Sequence, residues 1–161
     1  MIKIVEYEEK YQEQIVDLIL KIQNEEYAID LGIDEQPDLL NIEEEYILNG
    51  GNFWVAVDED QKVIGTIALL KKEHGVGVLK KFFVGRDYRG SKFGVGTELY
   101  EGLLEYSKGI GLKHIILDTP SVAERSHSFY RKVGFRLICR EELPIDYNFP
   151  DRNSLLFMLD I

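Results

Sequence analysis

Apolar and polar positions along the chain switch between two periods, and the switches mark the elements. Ile2-Lys3-Ile4-Val5 reads as a short strand. From Glu8 to Tyr27 the period lengthens. Ile15, Leu18, Ile19 and Ile22 fall at i, i+3, i+4 and i+7, one buried stripe of an amphipathic helix. Gly32 and Pro37 break the chain, a second helix is predicted over about Leu39 to Leu48, and Asn49-Gly50-Gly51 ends it. Phe53 to Val57 and Lys62 to Leu70 are β-branched and aromatic runs around the turn Asp58-Glu59-Asp60-Gln61, hence a hairpin. His74-Gly75 opens another turn, and Val76 to Val84 is the next strand. Helices follow over Val95 to Lys108 and Val122 to Lys132, separated by a strand at His114 to Leu117. Phe135 to Cys139 is a strand, Glu141 to Asn153 a long loop, and Leu155 to Leu159 the last strand. The order β-α-α-β-β-β-α-β-α-β-β predicts a mixed α/β fold, with hairpins in the middle and crossovers later.

Length, charge and cysteine content narrow this picture. The 161 residues fit one domain, 1–161, with no repeat or linker to divide it. A net charge of −10 argues against a sequence-independent nucleic-acid binder. The charge is split: residues 1–60 hold 17 acids and 3 bases, whereas residues 61–161 hold 12 acids and 16 bases. An anionic ligand is therefore expected with the C-terminal two thirds and a cationic one near the N-terminal third. The glutamates Glu25, Glu26 and Glu43 to Glu45 also read simply as solvated helix faces. Cys139, the only cysteine, excludes an internal disulfide, and His74, His114 and His127 have no ligand-like spacing, so no metal is expected. No apolar run reaches signal-peptide or membrane-spanning length, and the expected location is cytoplasmic.

The segment Arg89-Gly90-Ser91-Lys92-Phe93-Gly94-Val95-Gly96 joins a strand to a helix. Unpaired amides at a helix N-terminus, glycines that let the backbone approach closely, and the charges of Arg86, Arg89 and Lys92 together make an anion site. A P-loop fails because no Lys-Ser/Thr follows Gly94 or Gly96. A dinucleotide fingerprint fails because Gly96 is followed by Thr97-Glu98-Leu99.

The segment instead resembles the acetyl-CoA loop of the GCN5-related N-acetyltransferases, Arg/Gln-x-x-Gly-x-Gly/Ala on a strand–loop–helix unit. Ser91 stands three before Gly94, and Arg89 two positions earlier. Either the loop carries a two-residue insertion or Ser91 takes the arginine's place. A second stretch, Phe129-Tyr130-Arg131-Lys132-Val133-Gly134-Phe135, is similar to the same family's tyrosine helix. Ala123 and Ser126 stand where that family usually has Asn and Ala.

The resemblance implies a mostly antiparallel central sheet flanked by helices and splayed between the fourth and fifth strands. It implies acetyl-CoA as co-substrate, no metal, and direct attack by a primary amine in a ternary complex. The co-substrate would be bound by Phe82, Phe83 and Val84 of the strand. It would also be bound by Arg89, Gly90, Ser91, Lys92, Gly94, Val95, Gly96 and Thr97 of the loop and helix start, and by Ser126 and Phe129 of the tyrosine helix. Tyr130 would be the general acid that protonates the leaving thiolate, and the amides of Phe83 and Val84 would meet the oxyanion.

The general base stays open among Glu73, Asp118 and His127, chosen by residue type alone. His127 also reads as a surface helix residue, Asp118 as a strand-end cap, His74 as turn surface and Cys139 as a small core residue. In the family the acceptor pocket is commonly built from the first two helices and the loop before the last strand. Here those regions carry Glu25, Glu26, Asp30, Asp34, Glu35, Asp38 and Glu43 to Glu45, then Tyr147 and Phe149. That mixture suits a small cationic amine acceptor, and a peptide N-terminus or lysine stays open. No nucleic-acid or membrane partner is expected, and a homodimer stays open. The rival readings are a non-catalytic acyl-CoA-binding regulatory module of the same fold and a nucleotide-binding α/β protein.

Overall fold

Seven strands form one sheet in the order β1-β2-β3-β4-β5-β7-β6 in the computed structural model, which describes residues 1–28, 30–90, 92–149 and 153–161. The strands are β1 Lys3–Glu6, β2 Asn52–Val57, β3 Val63–Lys71, β4 Val76–Val84, β5 His114–Pro120, β6 Arg136–Ile138 and β7 Ser154–Asp160. Every neighbouring pair is antiparallel except β4 with β5. The α-helices are α1 Gln12–Lys21, α2 Val95–Gly109 and α3 Glu124–Lys132.

Both faces of the sheet are covered, which is why β2 is buried at all six positions. Its alternation sorts the two cores. Trp54 and Ala56 pack with Leu99 and Leu103 of α2 and Tyr130 of α3. Phe53, Val55 and Val57 pack with Ile15 and Ile19 of α1 and with Leu39, Ile42 and Tyr46 of the following segment. A third cluster, Val78, Ile116, Leu156 and Tyr147, lies where the 140s loop covers the other end of the sheet.

Two of the expected helices differ from the structure. The first is built from a 3-10 turn Glu9–Tyr11, α1, and a π turn Ile22–Glu26 closed by Tyr27 N–H on the Ile22 carbonyl at 3.2 Å. The second, expected over Leu39–Leu48, is a 3-10 turn Pro37–Leu40 and a π turn Glu43–Ile47, with Asn41 outside helical geometry between them. Burial overrides propensity here: the wider turn seats Tyr46 edge-on against Phe53, ring centroids 5.5 Å apart. β5 runs three residues beyond its expected end, so Asp118 lies within the strand, opposite Leu156, and is no strand-end cap.

The sheet opens where β4 and β5 part. Only Val76 to Val78 pair with His114 to Ile116; both strands then continue unpaired with each other. The register of β3 with β4 also slips between Thr66 and Ala68. At that bulge Lys81 takes a left-handed φ of 52°, and Thr66 Oγ1 donates to the Lys81 carbonyl at 2.6 Å. The sheet is therefore splayed between its fourth and fifth strands, as expected.

Candidate active site

The splay leaves two adjoining cavities that share Tyr27, Phe82, Phe83 and Ser126. The smaller, about 310 Å³, is walled by β4, by the turn after it and by α3. Of the residues expected to hold the co-substrate, Phe82, Phe83 and Val84 line it, with Arg89, Gly90 and Gly96 at one side and Ser126 and Phe129 at the other.

Gly94 caps α2 at φ +64°, with no side-chain cap on the helix N-terminus. Val95 is buried beneath that first turn, and Thr97 and Lys92 are exposed beside it. The first amides of α2 thus have no side-chain cap. Ser91 lies outside the described residues. Gly85 N–H bonds the Ile64 carbonyl on β3 at 2.7 Å. Alternation along the strand then turns the Val84 N–H toward the gap and that of Phe83 toward β3.

Arg89 is engaged by the protein itself. Its Nε donates to the Val84 carbonyl at 2.8 Å, and Nη1 and Nη2 donate to the two oxygens of Glu26 at 2.5 and 2.9 Å. Arg125 Nη2 stands 3.6 Å from the same carboxylate. The Arg89 hydrogen bond holds the Glu26 carboxyl below the usual carboxylate range.

The larger cavity, about 370 Å³, receives Tyr130 from α3 and Asp118 from β5. Tyr130 is 5% exposed, with its ring among Phe82, Phe129, Phe135 and Phe157. Burial pushes its phenol well above the ordinary tyrosine range, with smaller contributions from Tyr27 and Asp118. Asp118 accepts a short hydrogen bond from the Tyr147 hydroxyl, and Tyr147 stacks on Phe149 at 5.7 Å.

On the opposite wall Lys81 Nζ donates to Gln36 Oε1 at 2.6 Å and lies 3.6 Å from Asp38. Gln36 exchanges hydrogen bonds with Gln23 at 2.7 and 3.1 Å, and Tyr46 donates to Asp38 at 2.6 Å. Desolvation lowers the lysine's pKa, against the opposing pull of Asp38. Sequence reasoning missed Lys81, Gln23 and Gln36. The signal that finds them is the bulge, which no local pattern in β4 announces.

Several expected positions are corrected. His127 is no surface residue: it is 5% exposed, and its Nε2 lies 2.9 Å from the Pro120 carbonyl. Cys139 is exposed rather than in the core. It follows the three-residue edge strand β6, whose outward positions meet solvent. Glu73 and His74 are exposed in the β3–β4 turn and line neither cavity. Of the acidic residues expected on the acceptor side, Glu35 and Asp38 line the larger cavity. Glu43 and Glu44 face a separate surface groove, and Glu26 is taken up by Arg89. Among the described residues no cluster of three or more His, Cys, Asp or Glu side chains is arranged to hold a metal ion, and no helix is long and apolar enough to cross a membrane.

Comparison with known proteins places this geometry. Residues 16–135 match the model of the acetyltransferase (GNAT) family. A crystal structure of an acetyltransferase from Streptococcus agalactiae superimposes with a TM-score of 0.95 at 41% identity, covering 99% of this chain and 98% of that one. A GNAT-family acetyltransferase from Staphylococcus aureus gives 0.94 at 34% identity, covering 99% of each chain. A probable N-acetyltransferase, camello, of Xenopus tropicalis is 30% identical over 110 residues, 66% of this chain and 49% of its own length. The chain thus spans about half the length of the curated relatives it matches first.

Proposed function

Since the chain belongs to the acetyltransferase (GNAT) family, we propose that it transfers an acetyl group from acetyl-CoA to a primary amine by direct attack, with both substrates held in the splay between β4 and β5. The observation that carries this reading is the junction of the two cavities. One is flanked by the uncapped N-terminus of α2; the other holds a buried tyrosine; they meet at Phe82, Phe83 and Ser126.

The residues divide the work by position. The amides at the start of α2 and the glycines before it suit a diphosphate, by unpaired N–H groups and by the helix dipole. Val84 N–H faces the gap and suits the oxyanion of the tetrahedral intermediate. Tyr130 suits the proton donor to the departing sulfur. Burial that weakens the phenol as an acid also makes a thiolate in the same cleft a stronger base, so the two stay matched. Holding thioester and amine in one geometry supplies much of the rate without a covalent enzyme intermediate.

Glu35, Asp38 and Asp118 line the acceptor side, against Lys80 and Lys81. The lining thus carries three carboxylates against two lysines, a balance that favours a small basic amine. The test is release of free thiol from acetyl-CoA across a panel of amines, with mass detection of the acetylated product. Turnover with a primary amine is expected. Coenzyme binding without turnover on any amine would favour a non-catalytic acyl-CoA-binding module.

A further inference from the structure

The three carboxylate and imidazole groups that sequence alone offers as a base are separated by the fold. Glu73 is exposed in the β3–β4 turn, outside both cavities. His127 is buried against Phe157, with its Nε2 engaged by the Pro120 carbonyl. Asp118 alone of the three lines the cavity that Tyr130 enters. It sits two residues beyond Ile116, the last β5 residue paired with β4, where the strands have parted. Its strand is pinned on the other side by β7, with Asp118 opposite Leu156.

Asp118 is also held from behind. Tyr147, 8% exposed and stacked on Phe149, donates its hydroxyl to Asp118 Oδ1. A carboxylate has two oxygens and about four acceptor positions, and the phenol takes one of them. Around it stand Lys80 and Lys81 from β4, Tyr130 from α3 and Tyr147 from the 140s loop, with Ser154 of β7 on the cavity wall. Lys81 Nζ donates to Gln36 and lies 3.6 Å from Asp38, and the Asp118 carboxylate also acts on its charge. A cationic acceptor entering this cavity meets Asp118 among the lining residues that include the tyrosine.

Resting on the acetyltransferase reading, we propose that Asp118 receives the acceptor's ammonium group and takes its proton, with Tyr147 as the positioning residue that aims the carboxylate. The first ammonium proton passes to the carboxylate and on to water. The nitrogen lone pair then forms the C–N bond to give the tetrahedral oxyanion, and the C–S bond breaks as that intermediate collapses. Tyr130 gives its proton to the sulfur, and the second nitrogen proton, relayed through Asp118, restores the phenol. The products are the amide, the free thiol and one proton released to solvent.

The experiment compares the parent, Asp118→Asn and Tyr147→Phe with an amine that the parent acetylates, from pH 6.5 to 9.5. Titration calorimetry with CoA is run on each. For Asp118→Asn the expected result is a fall in kcat/KM for the amine of about 100-fold near neutrality, in the range of general-base removal, that shrinks as pH rises because more amine arrives neutral. CoA affinity is expected to stay within about twofold. Tyr147→Phe is expected to follow the same trend with a loss of about tenfold, and Asp118→Glu to regain part of the rate. A loss that is the same at every pH, or no loss, overturns the proposal while leaving the transferase reading intact. If Asp118→Asn does not fold, Tyr147→Phe decides by the same pH criterion. A parent that binds CoA but acetylates no amine overturns both readings.

Discussion

Glu26 and Arg89 form a two-pronged ion pair that straps the end of the first helical segment to the turn after β4. The contacts are 2.5 and 2.9 Å, between side chains only 19% and 20% exposed. The strap joins the segment that supplies Gln23 to the larger cavity to the turn that borders the smaller one. Because Arg89 lowers the Glu26 pKa, the strap's stabilisation is fully present above the ordinary carboxylate pKa and is lost as pH falls through the lowered native value. Glu26→Gln is expected to cost about 2 kcal/mol at pH 7, the scale of a charge-assisted pair that is partly shielded. Urea melts of both proteins at pH 7 and pH 3 should show the gap closing in acid; a gap independent of pH contradicts this assignment.

Tyr130→Phe keeps the ring among Phe82, Phe129, Phe135 and Phe157 and removes only the hydroxyl. kcat should fall about 100-fold with CoA affinity nearly unchanged, as for loss of a general acid. Since burial raises this phenol, its protonated form persists to higher pH than in a free tyrosine. The parent's kcat should therefore hold its alkaline plateau past the ordinary phenol range. An alkaline limb that falls below pH 10, about where free tyrosine titrates, would remove Tyr130 from that role.

Lys81 and Asp38 are 12% and 22% exposed and share their surroundings with Gln36 and Tyr46. Lys81→Met leaves Asp38 short of its counter-charge and should destabilise by about 2 kcal/mol, somewhat less than breaking a fully buried pair. Lys81→Met with Asp38→Asn should recover most of that. A strictly additive double mutant, measured by chemical denaturation, would show that the two charges are not coupled.

Tyr100 carries a hydroxyl buried without a hydrogen-bond partner among the described residues, and desolvation raises its pKa to about 12. Its ring packs edge-on to Phe129 and Phe135. Tyr100→Phe removes an unpaired polar group at almost no cost in packing, and should stabilise by about 1 kcal/mol. That corresponds to a rise in Tm of roughly 2–4 °C for a chain of this size. A lower Tm would mean that the hydroxyl has a partner, such as a bound water.

The walls of the smaller cavity were legible because their signals are local. A glycine-rich turn between a strand and a helix reads as an anion site from spacing alone, and the Phe129-Tyr130 to Gly134-Phe135 pattern lies on consecutive turns of chain. The larger cavity was legible only in part: Glu35, Asp38 and Asp118 stand out in the sequence, but three non-local features shape the rest. The β3–β4 bulge turns Lys81 out of simple alternation. The two π turns set where Glu26 and Tyr46 come to lie. The 140s loop brings Tyr147 back across 29 residues to Asp118. His127 and Cys139 were misplaced for a related reason. One sits on a short helix whose buried face takes in a polar ring, and the other follows an edge strand too brief to have an inside.

The three-residue seam between β4 and β5 has a mechanical meaning. It is the place where one half of the sheet, β1 to β4, is hydrogen-bonded to the other, β5 to β7, and it ends where the cleft begins. A long ligand threaded beyond the seam would act as a splint, gripping both halves where the backbone no longer does. Melting temperature should then climb with coenzyme concentration as mass action requires, and variants that loosen either half should gain most from its presence.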